Sequence, residues 1–167
     1  MKIIESSEAQ FIDDFFPLIV ELWYNRFDWQ NPQHEQHIKR RIHAKYENFS
    51  TVLCAYTDNG EPIGFYWYEH DPGLEGGSHC NKYAHIIQCG LFHKYRRQGI
   101  GTVLLNEVCD RVKKNGGEVL YTDTYAGSKT ALSFYIKSGF IPVAMHPGKH
   151  GFDDLGQVYL YKQLIEK

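Results

Sequence analysis

Between Tyr83 and Asn115 the sequence changes period across a single glycine-bearing turn. Tyr83–Phe92 is an apolar run of strand type. Gly99–Asn115 repeats apolar residues at helical spacing, with Leu104, Val108 and Val112 on one face. Gly99-Ile100-Gly101 stands at the junction, and Gly116-Gly117 closes the helix. A strand that runs straight into an amphipathic helix commits the chain to layers, with helices laid on a sheet. The glycines let the backbone turn tightly and aim successive N–H groups at one point, where the helix dipole adds positive potential. An anion suits that point, and Arg96 and Arg97 bring formal charge to it. Glycines at a helix start also occur for steric reasons alone, so the turn by itself leaves anion binding open. It is not the dinucleotide fingerprint, because Leu104 stands where the third glycine is required. Gly90, alone inside the strand, signals either a bulge that exposes unpaired backbone groups or a close backbone approach.

The rest of the chain reads as one domain without repeats or linker. Met1–Ser6 is a first strand, and Ser7-Glu8-Ala9 opens a helix through about Phe27, with Phe11, Phe15, Leu18, Ile19 and Leu22 at helical spacing. Pro17 is expected to kink or divide it. Pro32 to about Tyr46 is a second, more polar helix. Ser50–Tyr56 and Ile63–His70 form a hairpin across Asp58-Asn59-Gly60. Asp71–Asn81, with three glycines and a proline, reads as a mobile loop. Val119–Thr124 is a strand, Ser128–Ser138 a helix stopped by Gly139, and Phe140–Met145 and Gln157–Gln163 complete the sheet. The order is β-α-α-β-β-β-α-β-α-β-β.

Composition narrows the partners. A net charge of −2 gives no basic face for nucleic acid. No apolar run approaches the ~20 residues that span a bilayer, and the N-terminus lacks a signal-peptide core. Cys54, Cys80, Cys89 and Cys109 show no Cys-x-x-Cys pairing, which fits reduced thiols in a cytoplasmic protein. No His-x-x-x-His pair with an acidic partner falls on a helix, so no dedicated metal site is expected.

The full combination resembles the GNAT superfamily of N-acetyltransferases. The family's cofactor motif, Arg/Gln-x-x-Gly-x-Gly/Ala, is matched by Arg96, Gly99 and Gly101, and the flanks Leu91–Arg96 and Gly99–Leu105 match as well. Further on, the family's Asn-x-x-Ala-x-x-x-Tyr-x-x-x-Gly-Phe reads Ser128 to Phe140, with Ala131, Tyr135 and Gly139 in place. The likeness is clear over about Ala84–Val143. It implies one N-acetyltransferase domain over residues 1–167 with acetyl-CoA as co-substrate. The implied fold is α/β (α+β): a mixed, mostly antiparallel sheet of about seven strands, its central strand bulged, flanked by about four helices. The backbone of Cys89 and Leu91 would pair with the pantetheine arm like an extra strand. Arg96, Arg97, Gln98, Gly99, Ile100, Gly101 and Thr102 would hold the pyrophosphate. Tyr135 corresponds to the general acid that protonates the departing thiolate; as a residue of a helix face it also reads as a core aromatic. Ser128 replaces the family's cofactor-contacting Asn and reads equally as a helix N-cap.

An alkylamine with pKa ~10 arrives protonated, so attack on a thioester needs a base. His85 matches the base position of several members of the family. Asp123, ending the next strand, matches that of others, and Glu69 ends the Ile63–His70 strand; each also reads as an ordinary strand-end polar group. A water relay is the remaining alternative. For the acceptor, Trp23, Phe27, Tyr66 and Glu69 are the candidates, from segments dense in aromatic side chains. Alternation along Phe65-Tyr66-Trp67-Tyr68 is expected to bury two of these four and leave the others to a pocket. A small amine or polyamine is the expected acceptor, with a peptide N-terminus or lysine, or a non-catalytic acyl-CoA-binding domain, as the alternatives; a monomer or homodimer is expected.

Overall fold

The computed structural model describes residues 1–23, 32–47, 50–70, 82–148 and 155–165. Along these the order is β1 (Lys2–Glu5), α1 (Glu8–Trp23), α2 (Pro32–Glu47), β2 (Thr51–Tyr56), β3 (Pro62–His70), β4 (Tyr83–Leu91), α3 (Ile100–Lys114), β5 (Val119–Tyr125), α4 (Lys129–Lys137), β6 (Ile141–His146) and β7 (Gln157–Gln163). This is the order expected from periodicity. The seven strands form one sheet in the order β1-β2-β3-β4-β5-β7-β6. The pairs β1·β2, β2·β3, β5·β7 and β6·β7 are antiparallel, and β4·β5 is parallel. Among the described residues no helix is long and apolar enough to cross a membrane. By contact density the chain divides into two compact units, Met1–Glu69 with Gln88–Val108, and His70–Ile87 with Cys109–Lys167.

In the first unit α1 and α2 lay their apolar stripes on β2 and β3. Phe11, Phe15, Leu18, Ile19, Ile38 and Ile42 are buried, and the Phe11 ring meets Phe65 edge-on at 4.9 Å and Trp67 at 5.7 Å. Pro17 does not divide α1, which runs unbroken from Glu8 to Trp23. A helix-interior proline costs about 3 kcal/mol, whereas each fully buried Phe, Leu or Ile contributes roughly 1.5–3 kcal/mol. The buried stripe on both sides of Pro17 outweighs it. Phe65, Tyr66, Trp67 and Tyr68 are all buried. The expected half-and-half division does not hold, because both faces of β3 are covered.

Burial also silences a thiol: desolvation pushes Cys54 up to about 12, and Cys109 rises for the same reason.

The second unit is built on β5 and β7, paired from Val119↔Gln163 to Tyr125↔Gln157. Helix α4 ends in a Schellman cap. Gly139 takes φ +86°, its N–H donates to Ile136 O, and the Phe140 N–H donates to Tyr135 O, both at 3.0 Å. The ring contact between Tyr135 and Phe140, 5.1 Å between centroids, completes the motif. A Cβ at Gly139 would meet nothing closer than Lys162 Cε at 3.8 Å. Gly139→Ala therefore adds left-handed strain without a clash, and a loss of roughly 1 kcal/mol in urea unfolding is expected. A midpoint unchanged from the parent would refute this account of the cap.

Candidate active site

The cradle lies in the first unit. After β4 the Phe92 N–H still donates to Ile63 O at 3.0 Å, and residues His93–Tyr95 then form one tight 3₁₀ turn. Glu61 fixes that turn from the hairpin: its carboxylate accepts from Lys94 Nζ and, at 2.6 Å, from the Tyr95 hydroxyl. These two donors hold the exposed Glu61 carboxyl below its ordinary range. Arg96 folds back, donating through Nε to Leu91 O at 2.8 Å and pairing with Glu21 of α1 at 2.5 Å. Gln98 Nε2 donates to Lys94 O. The Arg96 guanidinium thus braces the turn against β4 and α1.

With the turn braced, the backbone does the presenting. Arg97 takes φ +64° and Gly99 φ +79°, both left-handed, and a side chain rarely tolerates what Arg97 adopts here. Helix α3 begins at once, with the N–H groups of Thr102 and Val103 both donating to Gly99 O. Among the described residues the N–H groups of Arg97, Gln98, Gly99, Ile100 and Gly101 make no hydrogen bond within the chain. Five successive donors at the positive end of a helix dipole fit a pyrophosphate. The Thr102 N–H, also expected at the pyrophosphate, donates to Gly99 O at 3.0 Å.

Gly90 serves a close approach. Its Cβ would stand 2.6 Å from Leu22 Cδ1 of α1. Gly64 is its counterpart on β3, where a Cβ would stand 2.4 Å from Gly90 O. Gly64, Glu21 and Glu61 carry no local signal in the sequence, since their partners lie far along the chain. Cys89 is half-buried on the same strand.

The second unit holds the acid–base candidates. Tyr135 is 5% exposed, its ring flanked by Phe134 and Phe140. Ser128 occupies the N-cap of α4, but its side chain makes no cap hydrogen bond. His85 and Asp123, weighed as rival bases, stand together. The parallel register sets His85 against Tyr121, and Asp123 is two residues further on the same face. His85 Nε2 lies 3.5 Å from Asp123 Oδ1, each side chain about a fifth exposed, and the His85 ring stacks on Tyr121 at 4.6 Å. The other carboxylate oxygen, Oδ2, accepts from Gln157 Nε2. Tyr121 also lines an open groove of about 440 Å³ with Tyr83, Tyr159, Tyr161 and Val143.

Among the expected acceptor contacts, Tyr66 is 2% exposed and Glu69 is half-buried at the end of β3. Phe27 and the side chain of Trp23 lie outside the described residues, as do Cys80 and the 71–81 loop.

The model of the GNAT acetyltransferase family matches residues 13–140, a span that takes in the turn before α3. The chain belongs to the GNAT family. A Bacillus subtilis (strain 168) relative, the uncharacterized N-acetyltransferase YdgE, is 31% identical over 83 residues. The match takes in 50% of this chain and 50% of that protein, so the chain spans about half the length of the curated relative it matches. The GNAT fold is shared with the crystal structure of aminoglycoside 6'-acetyltransferase type Ii, at TM-score 0.77 and 19% identity over 100% of this chain and 99% of that one. An aminoglycoside 6'-N-acetyltransferase complexed with coenzyme A gives 0.74 and 17%, again over 100% and 99%. At these identities the likeness is one of fold.

Proposed function

We propose that this GNAT chain transfers the acetyl group of acetyl-CoA to a primary amine, a small molecule or polyamine, by direct attack in a ternary complex in the cytoplasm. The observation that carries the reading is the row of unengaged N–H groups from Arg97 to Gly101 at the start of α3. Acetyl-CoA supplies an activated acetyl thioester. The chain's residues supply the rest. The N–H row holds the pyrophosphate, and backbone groups of Cys89 and Leu91 receive the pantetheine arm. His85 takes a proton from the incoming ammonium, and the Tyr135 hydroxyl gives one to the departing thiolate. The Ser128 hydroxyl, unused in its cap, donates to the cofactor. Support for a small acceptor comes from the tyrosine walls beside Tyr121, suited to an ammonium group, and from the fold shared with aminoglycoside acetyltransferases.

The test is a panel of polyamines, aminoglycosides and peptides with free N-termini or lysines, read by acetyl-CoA-dependent thiol release and product mass. Turnover is expected with a polyamine or an aminoglycoside. Turnover with peptides alone would overturn the small-acceptor part. CoA at 100 times its Kd stabilises a folded binder by about 2.7 kcal/mol, roughly 5–10 °C for a chain of this size. That shift without product from any amine would leave a non-catalytic acyl-CoA-binding domain.

A further inference from the structure

We propose that Asp123 is a positioning residue for His85 and that Gln157 holds Asp123 in place, so that Gln157, Asp123 and His85 act as one chain presenting the imidazole to the acceptor amine. The inference rests on the acetyltransferase reading for its chemistry, though not for its geometry.

The chain of contacts follows from strand register. His85 on β4 faces Tyr121 on β5, and alternation brings Asp123 to the same face. On β7, Tyr159 is opposite Asp123 and Gln157 is opposite Tyr125, one diagonal step away. Both oxygens of Asp123 are thereby engaged: Oδ2 accepts from Gln157 Nε2, and Oδ1 faces His85 Nε2 at 3.5 Å. A carboxylate accepts and does not donate, which fixes the Gln157 amide with its nitrogen toward Asp123. Gln157 Oε1 is left buried without a partner, in a residue only 7% exposed. An orphaned buried acceptor is a net cost. What the residue gains is the bond to Asp123.

In the proposed chain the carboxylate beside Nε2 favours the proton of the neutral ring on Nε2 and the lone pair on Nδ1. The Tyr121 ring, stacked within 8° of parallel, holds the imidazole plane. In the reaction the alkylammonium N–H bond breaks and its proton goes to Nδ1, giving an imidazolium next to the Asp123 carboxylate. The amine nitrogen bonds the acetyl carbon, the carbon–sulfur bond breaks with its electron pair on sulfur, and the thiolate takes a proton from Tyr135. After attack the nitrogen loses its second proton, which by way of solvent restores the Tyr135 hydroxyl. The proton on His85 is released, so one acetyl group moves, one thiol forms and one net proton goes to solvent.

The other titratable groups on this face include Tyr83 on β4, Tyr121 and Tyr125 on β5, Tyr159 and Tyr161 on β7, and His146 on β6 opposite Gln157. On the other side of β4 the sheet order places β3, which ends in Glu69 and His70. Glu69→Gln is therefore the charge control.

The experiment is an NMR titration of histidine-labelled protein without substrate, the His85 signal assigned through His85→Gln. Asp123→Asn is expected to lower the His85 midpoint by about one pH unit and to abolish its preference for the Nε2–H form. Gln157→Ala is expected to lower it by less, and Glu69→Gln by less than Asp123→Asn. Asp123→Glu, which keeps the charge, restores part of the shift and covers the case in which Asp123→Asn does not fold. In kcat/KM, the rising limb of the pH profile moves to lower pH in Asp123→Asn, with a plateau down about 10-fold, and vanishes in His85→Gln. An unmoved His85 midpoint in both Asp123 variants overturns the proposal, as does a limb that survives in His85→Gln and is lost in Asp123→Asn. If no amine is acetylated at all, the titration still decides the linkage, and only the acetyltransferase reading fails.

Discussion

Gly64→Val is expected to cost at least about 3 kcal/mol of stability, enough to leave a marginally stable chain largely unfolded. A Cβ on Gly64 would lie 2.3 Å from Leu91 Cδ2 and 2.4 Å from Gly90 O. The leucine methyl can swing aside, but the carbonyl oxygen is main chain in the adjoining strand. Relief therefore means displacing β4 by most of an ångström, and a β-branched side chain adds two methyl groups to the same space. The damage does not stop at stability. Leu91 O accepts the Arg96 Nε–H that braces the anion turn, so the same displacement pulls on the cradle. The milder Gly64→Ala is expected to fold with a lower urea midpoint, an unchanged slope and a several-fold higher KM for acetyl-CoA. Gly60→Ala separates the two effects. Gly60 has φ +84° but open space around it, so roughly 1 kcal/mol should be lost with no change in cofactor binding. A Gly64→Val protein that melts with the parent would sink the argument.

That example marks the limit of what the chain discloses by itself. Helix and strand order was legible because periodicity and punctuation are local: Gly139 stops α4, Gly99 opens α3, and Asp58-Asn59-Gly60 turns the hairpin. The glycine turn before α3 was legible for the same reason. Gly64 was not, since its meaning depends on the strand beyond the 71–81 segment. Pro17 does not divide α1, because a local cost of one missing hydrogen bond is overruled by an apolar stripe that only tertiary packing reveals. The four aromatics of β3 misled: alternation says which face a side chain takes, but not whether that face is covered. His85 and Asp123 were both found as candidates, but not that they stand 3.5 Å apart. Their pairing depends on the parallel register His85↔Tyr121, and Gln157 enters through a second, antiparallel register. No spacing in the sequence encodes either.

Tyr135→Phe is expected to lower kcat about 100-fold while leaving KM for acetyl-CoA within a factor of two. The substitution is informative because the ring has a structural duty that phenylalanine also performs. Tyr135 is 5% exposed, packs on Phe134 and Phe140, and supplies the carbonyl that closes the Schellman cap. All of that survives the loss of one oxygen, and the stability change should stay within about 1 kcal/mol. A residue that only filled the core would therefore leave kcat untouched. A general acid would not, because the thiolate must then leave unprotonated or draw its proton from water. The two roles separate further in Tyr135→Ala. Truncating a buried aromatic costs about 3–5 kcal/mol, so that variant loses activity and fold together and discriminates nothing. Tyr135→Phe alone isolates the hydroxyl. Full activity in a correctly folded Tyr135→Phe protein would return the residue to the core and leave water as the source of the proton.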